Sequence, residues 1–222
     1  TRLKKWDEWI TLNRLDENGR FLTFCGFDTG HDQSKRLDGF GKYTRRYYDE
    51  ASVKPIDSDV LPMIMPDMNA VYYGDKIALA RIAEMLGLFD EAQRFKKNAE
   101  KLKKEIIDLC YDEQDDFYYD VDKNGVKRKI KSIGITALFA SGFFDKEEGV
   151  RFFKKYFTSP RYFGTEYPYP SIAVSDNAFG KNSDGNSWNY YSQGLTMLRS
   201  LLWMEEYGLT EYLEMNMERW VR

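Results

Sequence analysis

The chain has 222 residues, a formal net charge of −3, and 42 % hydrophobic and 31 % charged residues, a composition that excludes a disordered or fibrous chain and fits a soluble globular one. No basic cluster interleaves with aromatics, which excludes a nucleic-acid surface. No run of about 18 apolar residues exists, so no segment is expected to cross a membrane.

Aromatic residues reach 16 %, more than a core alone needs. Several fall in Gly/Pro/Asn-rich loops, where aromatic faces serve sugar rings as readily as irregular cores. Cys25 and Cys110 are far apart and lack metal spacing; they read as free buried thiols. A lone histidine, His31, excludes a histidine-rich zinc site, and no metal or other cofactor is expected.

In chain order, residues 2–14 read as an amphipathic helix with Leu3, Trp6, Ile10 and Asn13 on one face, followed by a turn at 16–19. Residues 20–62 are loop-rich; a loop this long is functional or disordered, and Phe40, Tyr43, Tyr47 and Tyr48 favour an ordered one. The first helical hairpin runs from Pro66 to Leu86, turns at Gly87, and continues from Asp90 to Tyr111. Asp90 is placed to cap the second helix with Gln93 three residues on. Ala92, Phe95, Ala99, Leu102, Ile106 and Leu109 recur at alternating steps of three and four, a strong helical period. Residues 112–125 read as a β-hairpin or turn-rich link around Phe117, Tyr118 and Tyr119. A second hairpin spans 132–157, broken at Gly142 and restarted by the cap Asp145. After a long loop at 158–187, a third spans 187–207 and 210–222 about Gly208.

Helix pairs separated alternately by tight turns and long loops, with no parallel-sheet alternation, predict an all-α fold. Pairs that cannot bury both faces must stack on neighbours, and a ring of them with long loops on one rim builds a pocket. A closed ring of six pairs needs more than this chain, at roughly 50–60 residues per pair. The chain also begins and ends inside helical patterns. Residues 1–222 are therefore expected to be part of a single domain truncated at both ends, with the remainder of that domain as its first partner.

Four stretches carry candidate chemistry. Residues 28–36 hold Asp28, Gly30, Asp32 and Arg36 in a polar loop beside an aromatic run. Two carboxyls can act as acid and base in glycosidic bond cleavage, and an arginine holds a carboxyl ionised while burial does the reverse; two loop aspartates are also ordinary turn residues. Residues 65–70 place Pro66, Asp67 and Asn69 at a helix start, where proline and an acid also suit the first turn. Residues 163–173 carry Glu166, Tyr169 and two prolines in a loop. Residues 186–191 place Trp188, Asn189, Tyr190 and Tyr191 before a helix; Trp188 suits a sugar platform or a core anchor equally.

Taken together, these stretches resemble the trehalase and glycoside hydrolase family 63 enzymes, including the mannosylglycerate hydrolases. Gly30-x-Asp32-Gln33-Ser34-x-Arg36 resembles Gly-x-Asp-Asn-Ser-x-Arg, with His31 for an apolar residue and Lys35 for the usual proline. Pro66-Asp67-Met68-Asn69-Ala70 resembles Pro-Val-Asp-Leu-Asn-Ala, one residue shorter. The run 112–120 matches Asp-Glu-x-Asp-x-x-Phe-Tyr-Tyr-Asp, and 163–173 resembles Phe-Gly-Thr-x-x-Gly-x-Pro-Ser-x-Ala. Trp188 aligns with a tryptophan followed by x-Gly-Pro, where this chain has Tyr190-Tyr191.

The resemblance covers most of the chain and implies an (α/α)6 toroid, present here as an incomplete portion. It implies an inverting hydrolase of an α-linked glucoside or mannoside. Asp32 takes the place of the general acid; Asp28, Gly30, Arg36, Asp67, Asn69, Tyr169, Trp188 and Asn189 are the expected substrate-binding residues. The general base has no counterpart before Arg222 and is expected beyond it. A non-catalytic carbohydrate-binding relative and a helical-repeat interaction module are the alternatives. The protein is expected to be soluble, with cytoplasm and periplasm both open.

Overall fold

The computed structural model describes residues 2–31, 34–40, 58–180 and 188–221. They form two compact units, one of residues 1–30 and 39–128, the other of residues 31–38 and 129–222.

The first unit is built on the antiparallel pair α2 (Pro66–Met85) and α3 (Phe89–Cys110), with α1 (Arg2–Asn13) beside it. Pro66 opens α2 at the position where a missing N–H costs nothing. On α3 the apolar period holds: Ala92, Phe95, Ala99, Leu102 and Ile106 are buried. The stripe closes on Cys110 and not on Leu109, which is only half-buried. Asp90 does not cap this helix. Leu88 stands at the cap without a side-chain bond, and Asp90 lies in the first turn, where its charge still opposes the helix dipole.

The face expected on α1 is also corrected. Leu3 and Trp6 are exposed, while Ile10 and the charged Asp7 are buried. The carboxyl of Asp7 meets Lys76 Nζ at 2.6 Å and accepts from the Tyr72 hydroxyl at 3.3 Å. A buried ion pair with an added hydrogen bond tolerates the interior that an unpaired carboxyl would not. Hydrophobic periodicity cannot register such a pair.

Short strands β1 (Leu22–Thr23), β2 (Met63–Ile64), β5 (Asp120–Val121) and β6 (Lys127–Arg128) form an antiparallel sheet in the order β1-β2-β5-β6. Strands β3 (Tyr111–Asp112) and β4 (Phe117–Tyr118) form a separate hairpin. The link at 112–125 is therefore two successive hairpins.

The second unit contains α4 (Thr136–Ala140), α5 (Lys146–Tyr156), α6 (Gly194–Glu206) and α7 (Thr210–Val221). Asp145 caps α5 as expected, accepting from Glu148 N at 2.8 Å. The first arm of that hairpin is shorter than the pattern suggested: a single 3₁₀ turn, Ile133–Ile135, leads into the five-residue α4. Likewise α6 begins at Gly194, and the turn that contains Trp188 precedes it.

An aromatic cluster fills this core. Phe139 stacks near Trp203 at 4.6 Å between centroids and meets Phe144, Phe157 and Tyr207 edge-on. Gly149 on α5 makes room for it, because a Cβ there would overlap the Tyr207 ring. Among the described residues, no helix is long and apolar enough to cross a membrane.

Candidate active site

In the first unit, Asp28 ends a 3₁₀ turn, Gly26–Asp28. Its Oδ2 accepts from Phe24 N at 2.9 Å, Cys25 N at 3.3 Å and Arg14 Nη2 at 2.6 Å. Arg14 also donates to the carbonyl of Leu22 and lies over the rings of Phe21 and Phe24. Asp28 is thus a knot that ties the end of α1 to the chain entering the motif. Gly30 follows at φ +67, a conformation that favours glycine, and is exposed.

Asp67 lies in the first turn of α2 and is 6 % exposed; its Oδ1 accepts from Met68 N at 2.9 Å. Asn69 is fully buried. Its Oδ1 accepts from Phe21 N at 2.6 Å, and its Nδ2 donates to the carbonyls of Phe21 and Met65 at 3.0 and 2.9 Å. Both amide protons and the amide oxygen are engaged by backbone. In this structure the side chain clasps α2 to the segment before β1.

In the second unit, residues 31 and 34–38 form a compact cluster with Ser132, Trp188 and Asn189. Arg36 sits in the 3₁₀ turn Lys35–Leu37 and is 1 % exposed. Its Nη1 lies 3.2 Å from His31 Nδ1 and 3.4 Å from Ser132 Oγ. Arginine has donors only. His31 Nδ1 is therefore the acceptor in this contact. The imidazole stacks on the Trp188 indole, centroids 4.3 Å apart and planes 16° apart.

Asn189 is fully buried and accepts from Lys35 N at 2.7 Å through Oδ1. Ser34 N reaches the His31 carbonyl at 3.3 Å. The Lys35 side chain turns away to Asp38, at 3.0 Å. Backbone on both sides of positions 32 and 33 is thus tied down; Asp32 itself lies outside the described residues. Among the described residues, the Ser34 hydroxyl is buried and has no hydrogen-bond partner.

Tyr169, another expected substrate-binding residue, is enclosed. It is 1 % exposed, packs edge-on to Phe157, and its hydroxyl accepts from Asn216 Nδ2 and faces Met204 Sδ. Burial pushes its phenol well above the usual tyrosine value, against a smaller lowering by the Asn216 bond. A ring so enclosed supports the loop at 163–173 from beneath. Two residues that sequence reading missed complete these clusters: Arg14, which holds Asp28, and Ser132, which holds Arg36. Neither belongs to a motif, and only the fold brings them into contact. Among the described residues, no group of three or more His, Cys, Asp or Glu side chains could hold a metal.

A family model for the mannosylglycerate hydrolase MGH1-like glycoside hydrolase domain matches residues 1–218, and the chain belongs to that family. An uncharacterized protein of Borreliella burgdorferi is 27 % identical over 191 residues, covering 86 % of this chain and 35 % of that protein.

Among solved structures, the chain is similar to the GH63 mannosylglycerate hydrolase from Thermus thermophilus. The TM-score is 0.74 at 13 % identity, over 94 % of this chain and 58 % of that one. It is also similar to the neutral trehalase from Saccharomyces cerevisiae, with TM-score 0.65 at 14 % identity over 86 % and 33 % of the two chains. The fold is mostly helical and of the six-hairpin glycosidase type. The chain spans about a third of the length of the curated relative it matches.

Proposed function

We propose that this chain forms part of the active site of an inverting glycosidase acting on an α-linked glucoside or mannoside. Asp32 is the general acid: it gives its proton to the departing glycosidic oxygen, while a carboxylate contributed by the protein beyond residue 222 activates water on the opposite face of the sugar. Inversion requires the two carboxyls roughly 6.5–9.5 Å apart, leaving space for that water. Residues 1–222 belong to a single catalytic domain in this reading.

The observation that carries it is the anchoring of the motif loop. His31, Ser34, Lys35 and Arg36 flank position 32, and buried side chains from elsewhere in the second unit bind the loop on both sides. A proton donor must be held within a fraction of an ångström of its target, and an anchored loop of this kind supports that reading. Arg36, Trp188 and Asn189 act in the frame that holds the motif loop. The family membership supports the hydrolase class, and the glucose- or mannose-type substrate follows from the resemblance of the motifs.

The test is Asp32→Asn in the full-length protein, assayed for sugar release from unactivated α-glucosides and α-mannosides. Loss of general-acid catalysis predicts a fall of about 10²–10⁴-fold in kcat. Turnover near the parent rate overturns the assignment. Sugar binding without any hydrolysis by the parent protein would instead establish the non-catalytic relative.

A further inference from the structure

A pocket of about 510 Å³ opens in the second unit. Tyr167, Phe179, Tyr190, Tyr191 and Trp220 line it, with Glu166 as the one charged wall residue among those described. Its size falls within the range of small-molecule sites, which run to roughly 300–1,000 Å³. The motif loop does not account for it. Residues 188 and 189 turn inward to hold His31 and Lys35, whereas 190 and 191, next in the chain, turn out to form a wall.

The walls are firm. Trp220 Nε1 donates to the Pro168 carbonyl at 3.0 Å, and the hydroxyls of Thr165 and Ser192 both donate to the Tyr167 carbonyl, at 2.6 and 2.5 Å. Tyr190 and Tyr191 lie with centroids 4.0 Å apart, and Phe179 meets Tyr190 at a steep angle. Tyr167, Tyr191 and Trp220 stay 62 %, 41 % and 38 % exposed. Flat apolar faces edged by hydroxyls and one carboxylate suit a ligand with apolar C–H faces and a hydroxyl periphery. Among the described residues no cationic side chain lines the pocket; Arg219, beside it, is turned to the Thr165 carbonyl at 3.3 Å, so an anionic ligand would meet Glu166 first.

We infer that this pocket binds a neutral pyranose ring of the substrate, with Tyr190, Tyr191 and Trp220 as stacking walls and Glu166 accepting from sugar hydroxyls and excluding carboxylate-bearing sugars. The tyrosines stand where the resembled motif has Gly-Pro, so the site is a specificity feature of this chain. The inference deepens the glycosidase reading above and rests on it for the identity of the ligand as a sugar.

The experiment uses the full-length protein carrying Asp32→Asn, so that bound sugar is not consumed. Calorimetry is run with a panel of neutral α-linked glucose and mannose disaccharides, and with mannosylglycerate as the anionic probe. At least one neutral disaccharide is expected to bind, and adding Tyr191→Ala should weaken it roughly tenfold, about 1.4 kcal/mol. Adding Glu166→Gln should narrow the preference for the neutral sugar over mannosylglycerate. Tyr191 is partly exposed, so its truncation leaves the core untouched; the Trp220 emission shift on titration gives a second readout.

The inference is overturned if no neutral disaccharide binds, if Tyr191→Ala leaves every affinity unchanged, or if mannosylglycerate binds more tightly than the neutral sugars. Those results leave the role of Asp32 to its own hydrolysis assay, which fails or passes independently.

Discussion

The imidazole of His31 lies flat on the indole of Trp188, 4.3 Å between centroids, although 157 positions separate them in sequence (188 − 31). This stack joins the residue preceding Asp32 to the turn that precedes α6. Aromatic pairs of this kind contribute roughly 0.5–1.5 kcal/mol beyond their buried area. Trp188→Leu retains an apolar side chain but removes the stacking surface. It is expected to lower stability by about 1–3 kcal/mol and, on the proposed glycosidase reading, to reduce kcat of the full-length protein more than it raises KM. Urea denaturation and steady-state kinetics check the two effects; a stability loss with unchanged kcat would separate the stack from catalysis.

The bond between Lys35 N and Asn189 Oδ1 gives a physical meaning to one departure from the resembled motif. A proline at position 35 has no N–H and could not make it. Lys35 and Asn189 are thus coupled, and a double-mutant cycle measures the coupling. Asn189→Ala should cost about 1 kcal/mol more in the parent than in a Lys35→Pro background. Ser34, extended at ψ 140, already has the conformation that a following proline demands. Equal costs in both backgrounds would show that the bond contributes nothing to holding the loop.

The helices were legible wherever burial is apolar. On α3 the period of three and four picks out the buried face, because every buried side chain on it is apolar. On α1 the same reading placed Leu3 and Trp6 inward and missed Asp7, because the interior contact is an ion pair with Lys76, 69 residues away. The motif stretches were legible as well, but not the division of labour inside them. Asn69 and Tyr169 carry polar groups in loop or helix-start motifs, which reads as ligand contact. Their partners prove to be the backbone of residues 21 and 65 and the side chain of Asn216. No local pattern in a sequence distinguishes a hydrogen bond to a sugar from one to a distant carbonyl.

Arg36 is expected to resist conservative replacement. Its guanidinium is buried and presents Nη1 to both His31 Nδ1 and Ser132 Oγ. Lysine carries a point charge without the planar fork. Arg36→Lys should therefore destabilise by about 2–4 kcal/mol, the scale for disturbing a buried, hydrogen-bonded charge. Chemical denaturation should show a lower midpoint with unchanged slope. A variant as stable as the parent would mean that the charge alone, and not the fork, is what this pocket requires.

Asn69→Asp isolates the clasp at the start of α2. The substitution is nearly isosteric but replaces two amide donors by an acceptor facing the carbonyls of Phe21 and Met65. Both buried carbonyls lose the side-chain donor, the Met65 carbonyl keeping the Asn69 backbone N–H at 3.1 Å, and both meet a group that carries negative charge at neutral pH. A loss of more than about 2 kcal/mol is expected at pH 7. It should shrink in acid, where the aspartic acid regains one donor. Thermal unfolding at pH 7 and pH 4 tests the direction; a loss independent of pH would assign the effect to geometry alone.

Tyr169 predicts an alkaline weakness. Burial raises its phenol above the ordinary value of about 10, while the Asn216 bond opposes this only in part. As pH rises past the ordinary value, the unfolded chain releases this proton and the folded one retains it. The unfolded state is then favoured, and the stability linked to Tyr169 is present below that pH and lost progressively above it. Tyr169→Phe should be less stable than the parent at pH 8, because Asn216 loses its acceptor. The gap should close as pH is raised above 10, since phenylalanine has no proton to release. Urea midpoints of both proteins at pH 8 and 10.5 give the comparison; a gap that widens with pH would place the ionisation of Tyr169 below its ordinary value and reverse the assigned cause.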